Sequence, residues 1–231
     1  IMIDHLVTFI ETIKDMELEE IYQLLQENPP REVYWQAVVE KYYTESLIMR
    51  GQEAESALNK AEKLSLQGRN ALIYRQIQGL RGEAALQKGD IDKAIRYFED
   101  CLQLYRKSGS SHTAWVLGGL ARTYAQQGNH DRARQIIEEN DFDDDQIDVA
   151  EVYLAIGETD KAREVATNAY KYYWADGHPY VWWWYLERAK TVLDGLGEPY
   201  PDMPPYDESK IGKLPHEDEI RAYIRKKGGE A

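Results

Sequence analysis

The residues best suited to chemistry form an acidic cluster in the middle of the chain. Its six carboxylates are Asp141, Asp143, Asp144, Asp145, Asp148 and Glu151. Oxygen ligands suit a calcium ion, but a helix–loop–helix calcium loop needs Gly at its sixth position and Glu at its twelfth. This chain has Gln146 and Val152 at those positions. The pattern therefore favours a turn whose aspartates cap the helix that begins near Asp145, and we predict no metal site.

The sequence carries no recognisable catalytic motif. There is no H-E-x-x-H, no Gly-rich phosphate loop and no G-x-S-x-G. The only cysteine, Cys101, excludes an internal disulfide and falls at a packed small-residue position, so we predict an inert thiol. We therefore predict a protein that is not an enzyme and needs no cofactor. The histidines are far apart in sequence: His5, His112, His130, His178 and His216.

The charge and hydropathy of the chain narrow the class of partner. The formal net charge of −13 repels phosphate backbones, which argues against nucleic acid and favours a neutral or basic protein or peptide. No apolar run approaches the roughly 20 residues of a membrane helix. The acidic start of the chain also lacks the basic region of a signal peptide. We expect a cytoplasmic protein without membrane contact.

The elements that position these residues are short helix pairs joined by glycine turns. The phrase RGEAALQKGDIDKAIRYFEDCL predicts two helices with a turn at Gly89, where Asp90 caps the second helix. Similar phrases recur around Gly128 and Gly157. An alanine lies five positions after each of these glycines. Such pairs cannot bury their apolar faces alone, so the sequence predicts an all-α solenoid of stacked antiparallel helix pairs.

These residues resemble the tetratricopeptide repeat, in which a turn glycine separates two helices with small and large residues at fixed places. The resemblance is clear over residues 71–174 and weaker over 31–195, and it implies a right-handed superhelix. The residues that carry it are Gly82, Ala85, Gly89, Ala94, Phe98 and Cys101 in one repeat, Ala121, Tyr124, Gly128, Ala133, Ile137 and Asn140 in the next, and Ala150, Tyr153, Gly157, Ala162, Ala166 and Ala169 in the third.

The resemblance implies recognition of a protein or peptide on the concave face, which the first helices of the pairs line. One subgroup of the family binds peptide C-termini through a Lys/Asn/Lys/Arg clamp, but the Asn positions match Glu45 or Glu83 here, so that clamp is absent. The positions carried over to this chain as groove-lining are Lys41, Glu45, Gln76, Glu83, Trp115, Arg122, Gln126 and Glu151.

Three regions follow from the composition. Residues 1–30 predict an N-terminal helix pair, either a cap or a degenerate repeat. Residues 31–195 hold the repeats, and residues 196–231 form a proline-rich strap and a C-terminal helix. The repeats end in an aromatic stretch that includes Trp174, Trp183 and Trp184. We expect Trp182 to join a buried stripe, and the strap to fold back over Trp183 and Trp184. The alternative is an exposed patch that binds a partner.

The predicted function is that of a non-catalytic scaffold for protein or peptide binding. The tail after the tryptophan-rich helix also resembles the ends of repeat segments in bacterial multidomain signalling NTPases, and the first residue is Ile rather than Met. One alternative is therefore a sensor or oligomerisation arm of a larger bacterial regulatory NTPase. The other is a self-associating structural module.

Overall fold

A computed structural model describes residues 29–68, 70–109, 113–143, 145–178 and 181–207, with Ser209, Glu219 and Ala222. Between residues 29 and 207, the described parts of the chain form nine α-helices and no strand. All but the last two residues of the predicted N-terminal helix pair lie outside the described residues. Of the predicted C-terminal helix near residues 216–226, only Glu219 and Ala222 are described, and both are helical. The helices are α1 (Pro29–Met49), α2 (Glu55–Gln67), α3 (Ala71–Gln87), α4 (Ile91–Lys107), α5 (Ala114–Gln127), α6 (His130–Glu138), α7 (Ile147–Ala155), α8 (Thr159–Trp174) and α9 (Trp183–Leu196).

Local sequence explains where the helices end. Gly89 and Gly128 follow α3 and α5 with φ angles of +73° and +85°, a backbone conformation that glycine adopts without a steric penalty. The Asn70 side chain caps α3 by accepting a hydrogen bond from the backbone N–H of Ile73 at 3.1 Å. Asp90 occupies the N-cap position of α4 as predicted, but its side chain does not cap the helix. Its carboxylate instead accepts a 2.5 Å hydrogen bond from Lys93.

The helices pack as consecutive antiparallel pairs, which confirms the predicted all-α solenoid. Helices α1, α3, α5 and α7 are the first members of four pairs, and each packs against the next first helix. Helix α9 packs against α7 and α8 and extends this row by one helix. The row of first helices plus α9 forms one continuous face of the solenoid, and the second helices form the opposite face.

The repeated small residues allow close helix packing. Ala94, Ala133 and Ala162 are completely buried, as the repeat pattern predicts. Phe98 is completely buried as well, and its ring fills the space beside two glycines. A Cβ atom on Gly82 would lie 2.8 Å from this ring, and one on Gly119 would lie 2.6 Å from it. The glycines therefore let an aromatic ring reach the core between neighbouring pairs.

The last helix begins later than the sequence predicted, and this changes the environment of one tryptophan. The apolar spacing predicted a helix from about Tyr180, but α9 begins at Trp183. Leu186 and Leu193 are buried as expected, whereas Trp182 is 54% exposed. The prediction that Trp182 joins the buried stripe was wrong, because this residue is the N-cap and its backbone is not helical.

The described part of the strap docks on α8. The Trp174 indole N–H donates a 2.8 Å hydrogen bond to the backbone carbonyl of Pro204. The ring of Tyr200 stacks on Tyr170 at 5.6 Å, and its hydroxyl donates to Asp194 at 2.7 Å. In its described part, up to residue 207, the strap thus lies over Trp174. Trp183 remains 46% exposed.

Candidate functional site

Two neighbouring cavities open on the face formed by the first helices and α9. The first, here called the aromatic cavity, has a volume of about 240 Å³. Its rings are Trp115, Tyr172, Tyr173, Trp182, Trp184 and Tyr185. Its carboxylates are Glu45, Glu83, Asp143, Asp145 and Asp148. The second, here called the polar cavity, shares Glu83 and Arg122 with the first and is also lined by Gln126 and Glu151.

A chain of ion pairs separates the two cavities. Arg122 on α5 donates to Glu83 on α3 at 2.6 Å. Arg188 on α9 forms a paired hydrogen bond with Glu151, at 2.8 Å from Nε and 2.7 Å from Nη2, and its Nη2 also donates to Asp148 at 2.5 Å. Charge-assisted hydrogen bonds therefore join α3 to α5 and α7 to α9.

Asp148 is the centre of this network. Its Oδ1 lies 2.5 Å from Arg188 Nη2 and 2.7 Å from Arg122 Nε. The Arg122 Nε–H is not aligned with any acceptor in the described residues, so the contact with Asp148 is electrostatic rather than a hydrogen bond. Burial works to raise the pKa of the Asp148 carboxyl, but Arg188 and Arg122 outweigh burial and hold that pKa below its usual range.

The same network keeps its arginines charged. Burial disfavours the charged guanidinium of Arg188, yet Asp148 and Glu151 raise its pKa well above the ordinary value. The pKa of Arg122 is raised in the same way: burial opposes the charge, and Glu83 with Asp148 outweighs it. Both guanidinium groups are therefore held in position by carboxylates and present fixed charges on the face of the solenoid.

Aromatic rings form the opposite part of the aromatic cavity. Trp115 packs directly against a glycine, because a Cβ atom on Gly79 would lie 2.0 Å from the indole ring. The ring of Tyr185 stacks on Tyr173 with a centroid distance of 4.8 Å. Arg188 lies over the Trp184 ring with its guanidinium carbon 4.6 Å from the centroid. These contacts fix the rings in place before any partner arrives.

Most of the residues that the sequence predicted to line the groove lie at the two cavities. Of the eight predicted residues, the six that line one or both cavities are Glu45, Glu83, Trp115, Arg122, Gln126 and Glu151. Lys41 is buried and its ammonium pairs with Glu45 at 2.6 Å, so it supports the position of Glu45 and does not line either cavity. Gln76 lines neither cavity. Of the three predicted aromatic residues, Trp184 lines the aromatic cavity, Trp174 lies under the strap and Trp183 is exposed.

Sequence reasoning missed Arg188 and the role of Asp148. The prediction that the aspartates cap the following helix is not met at the N-cap itself, because α7 has Gln146 there and the Gln146 side chain makes no capping hydrogen bond. Asp148 instead turns inward and is buried. The available signal was the spacing of Arg188 and Trp184, which are four residues apart and so share one face of α9.

Metal binding and nucleophilic catalysis find no support in these side chains. Within the described ranges, no group of three or more His, Cys, Asp or Glu residues is arranged to hold a metal ion. Cys101 is completely buried, and burial raises the pKa of its thiol to about 12. Its Sγ–H donates to the backbone carbonyl of Arg75 at 3.2 Å. The thiol therefore acts as a small packing group.

The comparison with known families identifies the repeat. Residues 73–139 match the sequence model of the tetratricopeptide repeat, a span that includes α4, α5, α6 and nearly all of α3. The matched segment is built of tetratricopeptide repeats. Neither a curated protein nor a solved structure matches the chain significantly. Tetratricopeptide repeats generally mediate protein–protein interaction. Among the helices that the structure describes, none is long and apolar enough to cross a membrane.

Proposed function

We propose that the face formed by the first helices and α9 binds a protein or peptide, and that it does so without catalysis. The observation that carries this proposal is the aromatic cavity, where preset rings and carboxylates from α1, α3, α5, α7 and α9 meet. Aromatic side chains supply large contact areas at low entropic cost, and they dominate the energetics of many interfaces.

The surface next to the aromatic cavity supports the same proposal. Tyr172 and Trp182 line the cavity and are 56% and 54% exposed, and the adjacent Trp183 is 46% exposed. Exposed aromatic clusters of this kind mark sites of interaction. The partner we expect is a neutral or basic protein segment rather than a nucleic acid, because the net charge of the chain is −13.

Selection from a library of random linear peptides on the full chain tests the proposal. Peptides that bind should lose at least about tenfold in affinity for Trp184→Leu, because this change removes an aromatic wall of the cavity. They should bind Gln103→Ala normally, because Gln103 is exposed on α4, a second helix. Trp182→Ala, an exposed rim position, should weaken the same peptides even if Trp184→Leu unfolds. Peptides that bind all three variants equally would contradict the proposal.

Other predictions from the sequence need experiments of a different kind. Cell fractionation tests the expected cytoplasmic location. The mass of the protein isolated from its host tests the alternative that this chain is a sensor or oligomerisation arm of a larger bacterial regulatory NTPase. Light scattering across a range of concentrations tests self-association, and a persistent monomer would argue against it.

A further inference from the structure

The charges around the aromatic cavity do not balance. Five carboxylates and two arginines line it among the described residues. Adding the ion-pair partners just outside, Lys41 and Glu151, gives six carboxylates against three cations, a surplus of three negative charges. Both arginines are already engaged by carboxylates of the network. The cavity therefore repels an anion and attracts a cation.

The surplus lies at the cavity mouth. Asp143 is exposed in the loop before α7, and Glu45 on α1, which lines the same cavity, has a side chain that is 25% exposed. Burial of the Tyr185 hydroxyl is the main reason that its pKa is raised to about 12, and the negative charges of Glu45 and Asp148 add to this increase. A negative field thus reaches the aromatic wall on α9.

The aromatic faces add a second attraction for cations. The guanidinium carbon of Arg188 already lies 4.6 Å from the centroid of Trp184, so one ring face of this cavity holds a cation in the protein itself. Trp115 and Tyr185 present further rings to the same space. Rings next to carboxylates favour an organic cation over a metal ion. A metal ion keeps its hydration shell and gains little binding energy from contact with an apolar ring. No metal-binding arrangement exists among the described side chains.

The size of the cavity limits the ligand to one side chain. Its volume of about 240 Å³ is below the roughly 300–1,000 Å³ of typical small-molecule sites. We infer that the aromatic cavity binds the cationic side chain of a lysine or arginine in the segment that the groove recognises. This inference rests on the proposed function. The alkyl stem lies against the rings, and the charged head faces Glu45 and Asp143.

The six indole N–H groups of the full chain provide the readout, because Trp115, Trp182 and Trp184 line the cavity and the other three tryptophans do not. The probes are short Gly/Ser peptides with one central Lys, Arg or Gln. In ¹⁵N-tryptophan spectra, the Lys and Arg peptides should shift the three cavity indoles with a Kd on the order of 1 mM. The Gln peptide should leave them unchanged. The internal controls are Trp35 and Trp174.

Two variants that remove a charge at the cavity mouth, with one control, test the role of charge. Asp143→Asn should weaken the Lys peptide about threefold, because it removes one carboxylate at the cavity mouth. Glu164→Gln, an equal change of charge at an exposed position on α8, should leave the affinity unchanged. Glu45→Gln provides a second removal of charge at the mouth.

The outcomes separate this inference from the proposed function. Equal shifts with the Gln and Lys peptides would overturn the cation inference and still support recognition by the groove. Unshifted cavity indoles at about 10 mM Lys or Arg peptide would also overturn it. The proposed function has its own test in the library selection. If cavity-dependent peptides from that selection keep their affinity after Lys or Arg is replaced by Gln, the inference fails and the function stands.

Discussion

Gly118 on α5 packs so closely against Asp148 on α7 that no side chain fits at position 118. A Cβ atom on Gly118 would lie 2.7 Å from the Cβ of Asp148 and 2.8 Å from its Oδ2. The missing side chain lets the acidic group approach α5 closely, where it meets Arg122 at 2.7 Å. The glycine therefore positions the centre of the ion-pair network that lines the groove.

Gly118→Ala should lower the free energy of unfolding. The new methyl group collides with a buried, anchored side chain, and such overpacking typically costs about 1–3 kcal/mol. The helix propensity of alanine offsets this by at most about 1 kcal/mol. The control is Gly195→Ala on α9, where the nearest atom would be at 3.6 Å, so this variant should be neutral or slightly more stable. Urea unfolding of both variants measures the difference, and equal stabilities would contradict the close contact.

Asp148→Asn should destabilise the protein at neutral pH and much less in acid. Removing the buried carboxylate leaves two arginines with one partner fewer, a loss of about 3 kcal/mol. The folded-state pKa of Asp148 is depressed, so its contribution is complete above the unfolded value of about 3.9 and is lost as the pH falls through the lower, folded value.

Urea unfolding of Asp148→Asn and wild type from pH 7 to pH 3 measures this effect. The stability difference should be constant at neutral pH and should shrink below about pH 4. Asp100→Asn, at an exposed position on α4, is the matched control and should follow wild type throughout. A difference that is independent of pH would show that the carboxylate charge does not act as described.

Tyr200→Ala should loosen the strap and expose Trp174. The change removes the stacking on Tyr170 and the hydrogen bond to Asp194, the two contacts by which Tyr200 holds the strap. Acrylamide quenching of tryptophan fluorescence should increase, and the increase should vanish in a Trp174→Phe background. Tyr43→Ala, an exposed tyrosine on α1, should leave quenching unchanged. An increase that persists without Trp174 would place the docking surface elsewhere.

Cys101 should resist thiol reagents in the folded protein. Burial raises the pKa of its thiol to about 12, so almost no thiolate forms at pH 8, and the side chain has no exposed surface. A disulfide reagent should react with one thiol per chain in denaturant and with none in native buffer. Rapid labelling of the native protein would contradict the packing role.

The helix pairs could be predicted because their signals are local. Gly89 and Gly128 adopt positive φ angles, and Ala94 lies where two helices pack closely. The residue types alone therefore predict each turn and the helix pair around it. The same pattern predicted which residues lie on the first-helix face, and Glu45 and Arg122 line the aromatic cavity there.

The chemistry of the groove could not be predicted because it depends on stacking over many residues. Asp148 and Arg188 are forty residues apart, and they meet only when α7 and α9 lie side by side. The strap bond from Trp174 uses the backbone carbonyl of Pro204, an acceptor that every residue carries. No side-chain pattern could mark either contact in advance.

Site-specific photo-cross-linking tests recognition by the groove most directly. A photoreactive phenylalanine analogue replaces Trp182 at the cavity rim in one full-length variant and Gln103 on the opposite face in another. Both are irradiated with peptides from the library selection. We predict cross-links at position 182, competed by excess unlabelled peptide, and none at position 103. Cross-links at position 103 without any at position 182 would contradict recognition by the first-helix face.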